Sequence, residues 1–83
     1  MVVGVTRWEL HLPASQSLKD RLHDRFNVSA AEVDHQDLWQ RAALAAAVVS
    51  SDARHAEEVL ASCDRLVQGE PLAHILSSET FLQ

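Results

Sequence analysis

The stretch AALAAAVV, residues Ala42 to Val49, decides the fold of this chain. Because alanine has the highest intrinsic helix propensity, local preference favours a helix here, and Leu38, Ala45 and Val49 keep a helical spacing. An unbroken apolar run of this length is equally typical of a strand buried at the centre of a sheet, and periodicity does not distinguish the two. The fold class therefore depends on whether this segment is a helix or a central strand.

The segments before this stretch predict a strand, a helix and a second strand. Residues Val2 to Leu12 alternate between apolar even positions and odd positions that turn polar after Val5, which is typical of a half-buried strand. Gly4 within it indicates a bulge or the close approach of another backbone. Residues Ala14 to Phe26 repeat large apolar side chains four apart along one helical face. Residues Val28 to Val33 follow as a weaker strand.

A second helix and a last strand follow the alanine-rich stretch. Residues 50–52 offer several N-cap groups, and a broad apolar stripe continues until Gly69 ends the helix. Residues Leu72 to Leu82 alternate imperfectly and predict the final strand, with Ile75 and Phe81 in one apolar set. If the alanine-rich stretch is a strand, the elements follow in the order strand, helix, strand, strand, helix, strand, which is the split βαβ pattern.

The alternation also assigns side chains to the two faces of the predicted sheet. Seven apolar residues should be buried together between the sheet and the helices: Trp8, Leu10, Leu22, Phe26, Leu60, Cys63 and Leu66. Three residues of the first strand should lie exposed on the opposite face: Arg7, Glu9 and His11. Because both helices of such a domain cover one face, the other face is open to water or to a partner.

Composition limits the class of protein. The chain has 83 residues, 47% hydrophobic and 23% charged, so we expect one domain, residues 1–83, with a thin core. The chain has twelve acidic and seven basic residues, which argues against a protein whose whole surface binds nucleic acid. A local basic strip is still compatible with this composition. The single cysteine predicts a reducing, cytoplasmic environment. The N-terminus carries Arg7 and Glu9 and lacks a basic segment followed by an apolar core, so we do not expect a signal peptide. No apolar run is long enough to span a membrane.

Several stretches resemble the YlxP-like family of small bacterial proteins, catalogued as domain of unknown function 503. They are MVVGVTRWELHLP, SLK, DRFNVSAAEVDHQDLWQRA, AVVSSD and HAEEVL, and residues 35–41 are the most specific part. Members adopt a ferredoxin-like fold, so the resemblance implies an α+β domain of order βαββαβ, with a four-stranded antiparallel sheet and two helices on one face. It also implies that Ala42 to Val49 is a strand, paired in a hairpin with Val28 to Val33.

The chain departs from this family between Lys19 and Asp20, where members carry an additional basic run. A first strand from Val2 to Leu12 spans roughly 35 Å, whereas a helix from Ser17 to Phe26 returns only about 15 Å. A βαβ crossover has to bring the chain back along most of the strand. We therefore expect that a segment is missing between Lys19 and Asp20.

Candidate binding residues lie in two places. The first is the polar segment before the alanine-rich stretch, where Trp and Arg are residue types favoured as interface anchors. Its candidates are His35, Asp37, Trp39 and Arg41. The second is the open face of the predicted sheet, with Arg7, Glu9 and His11.

The sequence predicts no catalytic residue, metal site or cofactor. Asp34, His35 and Asp37 are ligand types, but adjacent strand residues point to opposite faces, so a polar turn explains them better. Cys63 lies in the apolar stripe of the second helix, which predicts a buried, inert thiol. No nucleophile motif and no glycine-rich phosphate loop occurs in the sequence. We therefore expect a protein that is not an enzyme and has no small-molecule substrate.

Two functions remain open at this point. The first is a non-enzymatic interaction module that forms a homodimer through the open sheet face or a strand edge. The second is a factor that binds RNA or a ribosomal particle, which the resemblance implies because family genes often lie beside translation and ribosome-maturation genes. RNA-binding domains of this architecture stack bases on aromatic residues of the open face, and the first strand offers none there.

Overall fold

The alanine-rich stretch is a strand. The computed structural model of the chain describes residues 1–11, 15–34, 41–71 and 74–83. In it, Arg41–Ser50 form β3, which is hydrogen-bonded to a neighbouring strand on each side. Leu44, Ala46 and Val48 are buried, whereas Val49 is exposed. Pairing at both edges and burial of one face outweigh the helix propensity of alanine, so the strand implied by the family resemblance is confirmed.

The other elements follow in the predicted order. They are β1 (Val2–His11), α1 (Ser15–Arg25), β2 (Ser29–Asp34), β3 (Arg41–Ser50), α2 (Ala53–Gln68) and β4 (His74–Leu82). The strands form one sheet in the order β2-β3-β1-β4, and every neighbouring pair is antiparallel. Both helices pack on the same face of this sheet. The predicted ferredoxin-like α+β fold is therefore confirmed.

The core lies between this face and the two helices. Five of the seven residues predicted to be buried together are at most 2% exposed: Trp8, Leu10, Leu22, Leu60 and Cys63. The other two, Phe26 and Leu66, are partly buried and pack against the cluster that contains Trp8. The complete burial of Trp8 confirms the predicted register of β1, because a shift of one residue would turn this side chain to the open face.

Two polar groups of β1 are paired inside this layer. The indole Nε1 of Trp8 donates to Oδ1 of Asp64 on α2 at 2.8 Å. The hydroxyls of Thr6 and Thr80 are hydrogen-bonded at 2.8 Å and link β1 to β4. A buried polar group without a partner costs about 1–3 kcal/mol. In the described part of the chain, no buried side-chain nitrogen or oxygen lacks a partner.

Gly4 makes room for side chains rather than for another backbone. A Cβ atom at this position would lie 2.8 Å from Cδ1 of Leu60 and 2.9 Å from Cδ2 of Leu82. The predicted close approach of a second backbone at Gly4 is therefore wrong. The predicted bulge is also absent there, since the register shift between β1 and β4 lies between Glu9 and Leu10.

The crossover from β1 to β2 is made by a short helix that is continuous through Lys19 and Asp20. β2 begins opposite Ala47, which pairs with Val5, so the chain has to return only from His11 to the level of Val5. That distance is about 20 Å. The 11 residues of α1 supply about 16 Å of it. A return along the whole of β1 is therefore not required, and a missing segment between Lys19 and Asp20 stays a prediction.

α2 begins as predicted but ends in a different conformation. Asp52 is the N-cap, and its Oδ1 accepts a hydrogen bond from the backbone N–H of Arg54 at 3.0 Å. At the other end, the N–H of Gly69 donates to the carbonyl of Arg65 at 3.0 Å. The φ of Gly69 is −82°, so this residue has a right-handed helical backbone conformation. The left-handed conformation typical of a glycine that ends a helix is therefore not used here.

Candidate functional site

The sheet face opposite the helices, here called the open face, has an apolar end. Val3 of β1 pairs with Val49 of β3. In the next row on this face, Val5 lies between Ala47 of β3 and Phe81 of β4. These five residues come from three adjacent strands and are called the apolar half below.

Large side chains of the apolar half are in contact with water. The exposed fraction is 61% for Val49, 56% for Phe81 and 41% for Val3. Single exposed apolar residues are ordinary on a soluble protein, but a contiguous patch indicates a surface that binds a partner. The apolar half is therefore the strongest candidate for a functional surface among the described residues.

Phe81 reaches the open face because β4 contains a bulge. Ile75 pairs with Leu10 and packs against the core, whereas Phe81 pairs with Val5 on the open face. The additional residue, Leu76, shifts the alternation of the strand by one position. The prediction that Ile75 and Phe81 form one apolar set is therefore wrong, and Phe81 is a surface residue that the alternation alone does not reveal.

A shallow groove lies beside the apolar half. Ser29 and Ala31 of β2 and Ala45 and Ala47 of β3 line it on the open face. All four side chains are small, whereas Val49 and Phe81 project further from the sheet. The open face therefore carries an apolar ridge and an adjacent groove lined by small side chains.

Arg7 and Glu9 lie further along the same face, as predicted. Arg7 lies between Ala45 and Glu79, and Glu9 lies one row further from the apolar half. Both side chains are partly exposed rather than fully exposed. Arg7, Glu9 and Glu79 therefore put charges of both signs on this part of the open face, called the charged half below.

The register brings one residue from each predicted group of binding residues together at one end of the sheet. His11 and Arg41 are direct cross-strand partners at the end of the charged half. Their side chains, and all of His35, Asp37 and Trp39, lie outside the described residues. The binding roles assigned to these five residues stay predictions.

Both edge strands of the sheet are irregular. The pairing of β2 with β3 shifts register between Glu32 and Asp34, and that of β4 with β1 shifts opposite Glu9 and Leu10. Bulges in edge strands oppose the addition of a further strand. Of the two surfaces predicted for self-association, the open face therefore fits better than a strand edge.

Cys63 has the properties of a buried structural thiol. Its side chain is completely buried between α2 and the sheet, and desolvation raises its pKa from 9.0 to about 11. Since the thiolate is the reactive form, the thiol is a poor nucleophile at neutral pH. Residues 1–11, 15–34, 41–71 and 74–83 contain no group of three His, Cys, Asp or Glu side chains that could hold a metal ion.

We expect a thiol reagent at neutral pH to label Cys63 slowly in the folded protein and rapidly after unfolding. The raised pKa adds a second expectation. Between pH 9.0 and about 11 the unfolded chain loses the thiol proton before the folded chain does, so stability falls as pH rises through this interval. Urea unfolding at a series of pH values measures the decline, which Cys63→Ala should reduce. Rapid labelling of the folded protein at neutral pH would contradict the burial of Cys63.

Comparison with known proteins places the chain in a family without assigning it an activity. A family model described as "Protein of unknown function (DUF503)" matches residues 3–80. No curated protein matches the chain. Neither helix in the described ranges combines the length and the apolar character needed to cross a membrane.

Proposed function

The chain belongs to the DUF503 family of proteins of unknown function, and we propose that it is a cytoplasmic, non-enzymatic interaction module that forms a homodimer through its open sheet face. The observation that carries this proposal is the exposure of Val3, Val49 and Phe81 on adjacent strands. Removing apolar surface from water contributes roughly 25 cal/mol per Å². Covering the apolar half therefore supplies a driving force for association.

The shape of the open face supports a second copy of the chain as its partner. In a dimer with a twofold axis, the same patch of both subunits meets, so the patch has to be complementary to itself. The open face offers both parts of such a patch, a ridge with Val49 on β3 and Phe81 on β4, and a groove at Ala31 and Ala45 on β2 and β3. The ridge of each subunit can then pack into the groove of the other.

The charges of the open face are also compatible with a second copy. Arg7 lies close to Glu9 and Glu79 on the charged half, so a partner in twofold symmetry finds both signs there. Each chain nevertheless has a net charge of −5, which opposes association at long range. Salt screens this repulsion. Dimerisation should therefore be maintained or strengthened as salt concentration rises.

The open face is large enough for a specific but modest interface. Four strands about 4.8 Å apart, with a rise of about 3.3 Å per residue, provide roughly 600 Å² of face. Two such faces together bury roughly 1,200 Å², which is near the lower limit for stable, specific complexes. We therefore expect a dimer whose Kd is micromolar rather than nanomolar.

Sedimentation equilibrium over a concentration series, at low and high salt, tests the proposal. We expect the weight-average mass to rise from that of one chain to that of two. Higher salt should leave the transition unchanged or move it to lower protein concentration. A monomer at every concentration and salt condition would contradict the proposed homodimer.

Binding of RNA or a ribosomal particle is the second candidate function. Phe81 favours it, because this residue supplies the open face with an exposed aromatic ring that the first strand lacks. A gel-shift assay with single-stranded RNA and small ribosomal subunits separates the two functions. Binding that high salt abolishes and that Phe81→Ala weakens would support this candidate. A discrete dimer without RNA affinity would support the interaction module.

A further inference from the structure

Positive charge collects in a groove between α1 and α2, on the opposite side of the molecule from the open face. Its lining includes Arg21, Arg25 and Phe26 from the end of α1 and Ser62 and Arg65 from α2. The chain has seven Lys and Arg residues against twelve Asp and Glu residues. Three of the seven lie in this one groove, so the local charge is opposite in sign to that of the whole chain.

The three arginines differ in their partners. Arg21 forms an ion pair with Glu70. Arg65 donates from Nη2 to the hydroxyl of Ser62 at 3.0 Å, which leaves its charge uncompensated because a hydroxyl is neutral. Arg25 makes no hydrogen bond or ion pair within the part of the chain that the structure describes. Two positive charges in the groove therefore have no carboxylate partner there.

We propose that this groove binds the phosphate group of a nucleoside phosphate, with Arg25 and Arg65 as the charged donors. A phosphate monoester carries a charge of about −1.5 to −2 at neutral pH, which matches the two uncompensated guanidinium groups. The planar guanidinium fork donates two parallel hydrogen bonds to phosphate oxygens. The hydroxyl of Ser62 accepts from Arg65 and keeps its own hydrogen for a further bond.

Phe26 makes a nucleoside the favoured carrier of this phosphate. Its ring is partly buried, packs against the core and lines the groove beside Arg25. An aromatic face next to arginines is an arrangement on which a nucleobase stacks while its phosphate is neutralised. The same chemistry is offered by a free nucleotide and by a single-stranded nucleic acid.

The positions of Arg25 and Arg65 also allow a purely structural role. Both lie in the last turn of their helices, where a cation stabilises the negative end of the helix dipole. That role predicts a lower melting temperature after substitution but no affinity for phosphate. Measuring binding and stability on the same variants therefore separates the two roles.

The test is a titration followed by amide NMR, with inorganic phosphate, adenosine monophosphate and a short oligouridylate as probes. In the native chain, we expect shifts at the groove residues with each probe. The double variant Arg25→Gln/Arg65→Gln should lower the affinity for phosphate by about tenfold or more. The matched control is Arg54→Gln, which removes one charge from the first turn of α2, and it should change the affinity by less than about twofold.

The outcomes are distinct. Unchanged phosphate affinity in the double variant, or an equal loss in Arg54→Gln, would overturn the proposal, and so would the absence of shifts in the groove. If adenosine monophosphate binds as tightly as the oligouridylate, the carrier is a free nucleotide. Tighter binding of the oligouridylate, with a steeper salt dependence, identifies a nucleic-acid strand. Because the groove and the open face lie on opposite sides of the sheet, variants that disrupt the proposed dimer should leave phosphate binding intact.

Discussion

Replacing Trp8 with alanine is expected to lower the free energy of unfolding by about 3–5 kcal/mol. Among the residues that the structure describes, Trp8 has the largest completely buried side chain, and its Nε1 donates to Asp64 across the core. Truncation leaves a cavity between the sheet and the helices and removes this hydrogen bond. Since domains of this kind are stable by only about 5–15 kcal/mol, the variant should be largely unfolded in mild denaturant.

Two variants separate the packing of Trp8 from its hydrogen bond. Trp8→Phe keeps an aromatic ring and loses the indole N–H, so it should cost less than Trp8→Ala. Asp64→Ala leaves the buried indole N–H without its acceptor and should cost about 1–3 kcal/mol. Urea unfolding followed by far-UV circular dichroism measures all three changes. A cost below about 1 kcal/mol for Trp8→Ala would contradict its position in the core.

Val49→Glu is expected to raise the Kd of the dimer by about a hundredfold or more, which makes the protein a monomer at working concentrations. The substitution removes apolar contact from the ridge and places a carboxylate against the small apolar side chains of the partner's groove, where it loses water without gaining a charged partner. Val49 is 61% exposed in the single chain, so the fold should tolerate the change. Sedimentation equilibrium gives the Kd, and urea unfolding confirms that the variant is folded.

Leu76→Glu is the matched control for this prediction. Leu76 is 40% exposed and lies at the bulge of the edge strand β4, away from the apolar half. The change in charge and polarity is the same, but the dimer should be retained. If Leu76→Glu dissociates the dimer and Val49→Glu does not, subunits associate through the β4 edge and the assignment to the open face is wrong.

The register of β1 could be predicted from the sequence because it depends on a local pattern. A period of two places Trp8 and Arg7 on opposite faces whatever the partner strands are. The state of Ala42 to Val49 could not be predicted locally, because strand pairing depends on neighbours that are distant in the sequence. The family resemblance supplied that information, and local propensity alone favoured the wrong element.

The candidate surfaces were predictable only in part, for a similar reason. The apolar start of the odd-numbered face was visible at Val3 and Val5. The contribution of Phe81 was not, because the bulge that turns it outward is defined by the pairing of β4 with β1. The groove between Arg25 and Arg65 exists only once two helices are packed side by side, and each arginine alone is typical of a solvated helix face.

The most direct test of self-association through the open face is a dilution series of amide NMR spectra. We expect concentration-dependent shifts at Val3, Val49, Phe81 and their neighbours on the open face, while the amides of α1 and α2 stay constant. The same shifts should be absent from Val49→Glu. Spectra that do not change with concentration, or changes centred on the helices or on a strand edge, would contradict association through the open face.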